Sequence, residues 1–163
     1  MIMKTIAING ESGSGKSYIA HKLVLAEPDK YNLIRSYTSR SKRGIRDDDH
    51  IFKPKKFILT KMMNYQYVAR SIIDDEIYCT FYHQFRHDRI NLCILDDFGV
   101  LDLLNHFKAK QVRVVRVRRN NIHVPEDRRN RLYHFIPDDC PHIDYVVDNN
   151  DDYDPLSDDV WVL

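Results

Sequence analysis

The sequence predicts an α/β domain in three layers, with a mainly parallel central sheet between helices. Three observations predict it. Short apolar runs of strand character alternate with longer runs of helical spacing along most of the chain. The first strand-like run ends in a glycine-rich stretch that leads straight into a helical one. Nothing in the 163 residues resembles a repeat or a low-complexity linker, so a single domain spanning 1–163 is expected.

Residues 3–9, MKTIAIN, read as a short buried strand. From Ser17 the run SYIAHKLVLAE sets Ile19, Leu23 and Val24 at helical spacing, and Pro28 lies beyond its end. YNLIRSY, 31–37, reads as a second strand. Residues 39–56 are dense in charge and interrupted by Gly44 and Pro54, which predicts an excursion from the main sheet. The run 55–72 has room for a helix and a strand, though its periodicity does not separate them. NLCILDD (91–97) has the character of a buried strand, VLDLLNHFKAK (100–110) of a helix, and QVRVVRV (111–117) of another strand. PEDRRNRLYHF (125–135) is expected to be helical, since Pro125 and two acids suit a helix start. IDYVVDN (143–149) is the last expected core strand.

Composition narrows the function classes. The net charge of +1 offers no case for a general nucleic-acid binder. Cys79, Cys93 and Cys140 form no CxxC pair, which suits a reducing cytosol. The N-terminus lacks the form of a signal peptide and no run reaches the length of a membrane span. A soluble, cytoplasmic protein is expected, with neither nucleic acid nor membrane as partner.

Gly10-Glu11-Ser12-Gly13-Ser14-Gly15-Lys16-Ser17 matches G-x-x-x-x-G-K-[ST] at every fixed position. Gly10, Gly13 and Gly15 allow successive backbone amides, Ser14 among them, to surround anionic oxygens. The following helix adds its N-terminal dipole. Lys16 would place a compact positive charge on the β- and γ-phosphates, and the Ser17 hydroxyl could ligate Mg²⁺. The expected fold is therefore a P-loop NTPase, with ATP and Mg²⁺ as cofactors.

A second phosphate site is suggested by Ser36-Tyr37-Thr38-Ser39-Arg40-Ser41-Lys42-Arg43-Gly44. Two arginines three residues apart, behind hydroxyl side chains, form a clamp suited to a phosphate dianion. Here the chain resembles the guanylate kinase family of nucleoside monophosphate kinases, whose pattern is S-x-T-T-R-x-x-R-x-G followed by D-Y-x-F. This sequence reads S-Y-T-S-R-S-K-R-G, then Asp49-His50-Ile51-Phe52; it also has Tyr78-Cys79-Thr80 for Y-G-[ST], ILDDFGV for I-L-D-x-D-x-Q-G-V, and a late IDYVVDNND. The resemblance suggests a compact, divergent member, of the type carried by bacterial viruses.

The resemblance implies a kinase that passes the γ-phosphoryl of ATP to a small-molecule nucleoside or deoxynucleoside monophosphate of GMP or dGMP type. Monomer and homodimer are both compatible with it. It implies an acceptor-binding subdomain at 34–89 and a lid at 118–135. Ser36, Arg40, Arg43 and Tyr78 would hold the acceptor phosphate, and Thr80 would lie near its base. Asp96 or Asp97, at the end of a buried strand, would orient Mg²⁺ or face the acceptor; Asp97 could equally cap the next helix. Arg128 and Arg131, with Arg129 beside them, would stabilise charge in the transition state, or else form a solvated face paired with Glu126 and Asp127.

Two departures stand out. His50 replaces the family's phosphate-binding tyrosine and could donate from a ring nitrogen. The family's guanine-reading acid has no counterpart, since the matching stretch is Tyr67-Val68-Ala69. Either Asp74, Asp75 or Glu76 substitutes, or the base preference differs. A kinase of another phosphorylated acceptor, such as ribose 1,5-bisphosphate, and a non-catalytic binding module of the same fold are the alternatives. His83 and His87 lack a third metal ligand, and Tyr153 stands where a calcium loop across 148–159 would need glycine, so neither stretch is taken as a metal site.

Overall fold

The computed structural model describes residues 3–45, 47–120, 122 and 136–163. Strand β1, Lys4–Asn9, is followed by helix α1, Lys16–Ala26, and strand β2, Tyr31–Ile34. Then come β3 (Ser36–Thr38), β4 (His50–Phe52), α2 (Lys55–Asn64), β5 (Tyr67–Ile73) and β6 (Glu76–Phe81). The chain continues through β7 (Ile90–Ile94), α3 (Asp97–His106), β8 (Val112–Arg118) and β9 (Tyr145–Asp148), and short 3₁₀ turns follow at Pro155–Ser157 and Asp159–Trp161.

The main sheet has five strands in the order β2-β7-β1-β8-β9, with every pair parallel. Both faces are covered, which is why its central strands β7, β1 and β8 are buried along most of their length. On β1, Ile6 and Ile8 pack toward Ile19 and Leu23 of α1 and toward Trp161, while Ala7 faces the other way, toward Val100 and Leu103 of α3. The period of two along the strand thus divides one run between two cores. The result is an α/β, three-layer, mainly parallel arrangement, that of a P-loop NTPase.

A second sheet, ordered β4-β3-β6-β5, is formed within residues 36–81. Its β3–β4 pair is parallel and its other pairs antiparallel. Ile58 of α2 packs on it with Ile77, Cys79 and Phe81. The hairpin between β5 and β6 turns on Asp74 and Asp75, at φ 51° and 63°, as a two-residue turn compatible with strand twist requires. Helix α3 joins the sheets: an Asp102 carboxylate oxygen accepts from the Arg70 amide at 3.1 Å.

Three boundaries differ from the sequence expectation. The single strand expected at 31–37 is two, because the chain changes sheets at Arg35. Ile34 pairs with Cys93 in the main sheet, and Ser36 with His50 in the second. The Arg35 guanidinium donates to the His50 carbonyl at 3.0 Å, and its own carbonyl accepts from Gln84 Nε2 at 2.7 Å. Helix α3 starts earlier than expected, since Asp96 caps it by accepting from the Gly99 amide at 2.8 Å. It also stops at His106, before the predicted end. The helix expected at 125–135 lies outside the described residues. Among the described residues, no helix is long and apolar enough to cross a membrane.

Candidate functional site

The glycine loop links the C-terminal end of β1 to α1, where an open parallel sheet places its ligand crevice. Gly10 has φ +144° and Gly15 φ +95°. A Cβ at Gly10 would lie 2.2 Å from the Val117 carbonyl oxygen, and one at Gly15 would lie 2.1 Å from Asn149 Nδ2. Neither position can carry a side chain without the loop moving. Lys16 Nζ donates to the carbonyls of Gly10 (2.6 Å) and Glu11 (2.7 Å), which holds the ammonium over the loop. Asn149 Nδ2 donates to the Ser14 carbonyl at 2.8 Å and anchors the loop from the far end of β9. The cradle, the lysine and the first turn of α1, with the Ser17 hydroxyl, form a donor set that fits a triphosphate and its Mg²⁺.

One cavity joins this loop to the basic segment. Gly10, Ser12 and Lys16 line one side; Ser36, Arg40, Arg43 and His50 line another; Tyr78, Thr80, Ser71 and Asp96 contribute to the rest. Gly13, Ser14, Ser17 and Asp97 are not part of that lining. The arginine side is built around Asp47. Arg40 holds it bidentately, Nη1 to Oδ2 at 2.6 Å and Nη2 to Oδ1 at 3.0 Å, with side chains only 10% and 14% exposed. The Arg43 amide donates to the same carboxylate at 3.0 Å. The Arg40 hydrogen bond, followed by the Arg43 amide, holds the Asp47 carboxyl down at about 2. Desolvation offsets much of the gain in so enclosed a pair, so the larger effect of Asp47 is to fix where Arg40 points.

His50 Nδ1 lies 2.8 Å from Ser36 Oγ, and its ring meets Tyr78 edge to face at 5.4 Å. Burial, then the charges of Arg40 and Arg43, pushes its pKa down to about 4, so the ring is neutral at physiological pH.

The adjacent aspartates diverge. Asp96 lines the cavity, caps α3 and accepts a short bond from the Ser71 hydroxyl. Asp97 faces the interior at 0% exposure. It accepts from Asn9 Nδ2 (3.0 Å), Arg116 Nη2 (3.2 Å) and the Ile136 amide (2.7 Å). The expected acceptor contact from Asp97 therefore has no counterpart in the geometry; a carboxylate enclosed by three donors ties elements together.

None of the acids considered as base readers lines the cavity. Asp74 and Asp75 form the hairpin turn, and Glu76 accepts a short bond from the Ser39 hydroxyl. Arg128, Arg129 and Arg131 lie outside the described residues. Sequence reasoning missed Asn149, Asp47, Ser71 and Arg116. Only Asp47, within the basic segment, carried a local signal: an acid four residues past an arginine. Among the described residues there is no group of three or more His, Cys, Asp or Glu side chains that could hold a metal ion.

No protein-family model matches the chain, and no curated protein matches it. Among solved structures it is similar to guanylate kinase from Anaplasma phagocytophilum, with a TM-score of 0.64 and 18% identity over 91% of this chain and 77% of that one. At that identity the likeness is one of fold, and the fold is guanylate-kinase-like.

Proposed function

We propose that the protein is a nucleoside monophosphate kinase, moving the γ-phosphoryl of ATP to the phosphate of a nucleoside or deoxynucleoside 5′-monophosphate. The observation that carries this reading is the single cavity with the glycine loop on one side and the Ser36–Arg40–Arg43 clamp on the other. Two phosphate sites facing one space are what in-line transfer between phosphates requires. In this reading the loop amides and Lys16 hold the triphosphate, and the clamp, with Tyr78 and His50, holds the acceptor. Ser17 and Asp96 would hold Mg²⁺, which would supply positive charge to offset that of the phosphates. The acceptor's phosphate oxygen is already a nucleophile, so no side chain need act as general base. Residues 34–89 would form the acceptor subdomain, and 118–135, with Arg128 and Arg131, the lid.

For the base, the cavity offers Thr80, Ser71 and the carboxylate of Asp96. A GMP-like acceptor is proposed with Thr80 and Ser71 meeting its base, and Asp96 would face the base only if Mg²⁺ is held without it.

A coupled ADP-release screen tests the reading, run over the ribo- and deoxyribonucleoside monophosphates and ribose 1,5-bisphosphate. Turnover is expected with at least one nucleotide and is expected to fall by orders of magnitude in Lys16→Ala, whose charge counts most in the transition state. Turnover only with the bisphosphate would move the assignment to a sugar-phosphate kinase. No turnover with any acceptor, together with intact nucleotide binding, would indicate a binding module.

A further inference from the structure

The acceptor clamp holds an anion of the chain's own. Asp47 meets Arg40 through both carboxylate oxygens, at 2.6 and 3.0 Å, and accepts from the Arg43 amide at 3.0 Å. Two guanidinium donors and a backbone N–H around two oxygens are a set that would equally grip two oxygens of a phosphate. The rest of the Arg40 fork offers a ligand little. Nη1 also donates to the Ser41 carbonyl at 2.9 Å, and Nε is buried, with no hydrogen-bond partner among the described residues. The Phe52 ring lies against the guanidinium, its centroid 5.1 Å from the central carbon. A bidentate grip on an incoming phosphate therefore needs the edge that Asp47 covers.

The loop that carries Asp47 is not packed into a core. Ile45 is 94% exposed, and a Cβ added at Gly44 would meet nothing within 4 Å. Lys42 and Asp48 meet at 3.1 Å between exposed side chains, a contact that contributes little. His21 on α1 pairs with Asp49 at 2.6 Å and anchors the loop where it enters β4. Asp47 can thus withdraw while the flanking strands β3 and β4 stay paired.

We propose that Asp47 is a specificity-determining residue of the acceptor site: it occupies the phosphate's place on Arg40, and the incoming phosphate displaces it. The cost of displacement is the same for every anion. It leaves their ranking unchanged and weakens all of them by one factor, set by the fraction of molecules whose clamp is open. Inorganic phosphate, held by the clamp alone, is then too weak to fill the site. A nucleoside monophosphate gains further contacts at Thr80 and Ser71 and still binds. The site thereby takes a phosphate that carries a nucleoside and leaves a bare one in solution. This inference rests on the reading of Ser36, Arg40 and Arg43 as an acceptor phosphate site.

Calorimetric affinities for inorganic phosphate and GMP, in the wild type, Asp47→Asn and Asp48→Asn, test it. Inorganic phosphate reads the clamp whatever the base. The Asp48 side chain is 66% exposed and pairs with Lys42, so its variant removes the same charge without touching Arg40. Both ligands are expected to tighten roughly tenfold in Asp47→Asn, the effect of one displaced charge-assisted contact, and by less than about twofold in Asp48→Asn. The gain should vanish when Asp47→Asn is combined with Arg40→Ala. Weaker or unchanged binding in Asp47→Asn would make Asp47 a strut for Arg40 and overturn the inference. Equal tightening in the two single variants would overturn it too, assigning the effect to diffuse charge. A crystal structure of the wild type with phosphate bound gives the answer even if Asp47→Asn does not fold. Asp47 is expected beyond about 4 Å from the Arg40 guanidinium there, and an intact pair would overturn the inference. Undiminished binding of both ligands in Arg40→Ala, or failure of both to bind any variant, would overturn the acceptor-site reading along with it.

Discussion

Asp97 and Asp96 are neighbours in sequence with opposite surroundings, and a variant of the first tests the division of roles. Asp97 is enclosed and meets Arg116, whose side chain is 6% exposed. Removing one partner of a buried ion pair strands the other. Asp97→Asn is expected to lower stability by about 3 kcal/mol, the low end of the range for such losses, because Asp138 still faces Arg116 at 3.4 Å. Urea denaturation would measure it. A neutral outcome would mean that the Arg116 charge is satisfied without Asp97. The pair also shows what a sequence conceals. Both aspartates end the same apolar run, and the direction each faces is decided by partners at Asn9, Ser71, Arg116 and Ile136, none of which is local. Asn149 was illegible for the same reason, since its partner Ser14 is 135 residues away.

At the scale of elements, the glycine loop and the alternation of strands and helices were readable because their signals are local: spacing, periodicity and turn residues. The break at Arg35 was not, because only pairing with two different sheets distinguishes β2 from β3. The β5–β6 hairpin shows local chemistry competing with a functional guess. Asp74 and Asp75 attract attention as acids, yet their backbone is left-handed at both positions. A left-handed conformation costs an ordinary residue about 1–2 kcal/mol, a penalty glycine does not incur. Aspartate tolerates this conformation better than most residues, and glycine loses more chain entropy on folding, so Asp75→Gly is expected to raise stability by only about 0.5 kcal/mol. Acceptor selectivity should be unchanged, because the hairpin turn is outside the cavity lining. Thermal melts and specificity constants on one purified variant check both; altered selectivity would return Asp75 to the pocket.

The whole molecule should register the clamp in its pH dependence. His50 is depressed from an ordinary 6.5 to about 4, so between those values the unfolded chain binds more protons than the folded one. Stability is then fully present above pH 6.5 and is lost as pH falls toward about 4. Asp47, depressed from 3.8 to about 2, extends the loss: its contribution is present above 3.8 and disappears as pH falls through about 2. The expected curve has two successive acid slopes from one loop. Urea unfolding free energies across pH 3–8 would show the upper slope in the wild type and its loss in His50→Gln; an unchanged slope would assign it to other histidines.

The sheet order has a consequence for how the protein is made. β1 stands in the middle of the main sheet, between β7 and β8, so its partners are residues 90–94 and 112–116. A chain emerging from the ribosome therefore exposes a strand that is buried from Thr5 to Asn9 in the folded protein long before either neighbour has been synthesised, and the long closures must wait. Residues 36–81 need no such delay, since β3, β4, β5 and β6 pair with one another. During translation, the second sheet, with the basic segment that carries Arg40 and Arg43, can take shape while the glycine loop still hangs from a strand without a sheet.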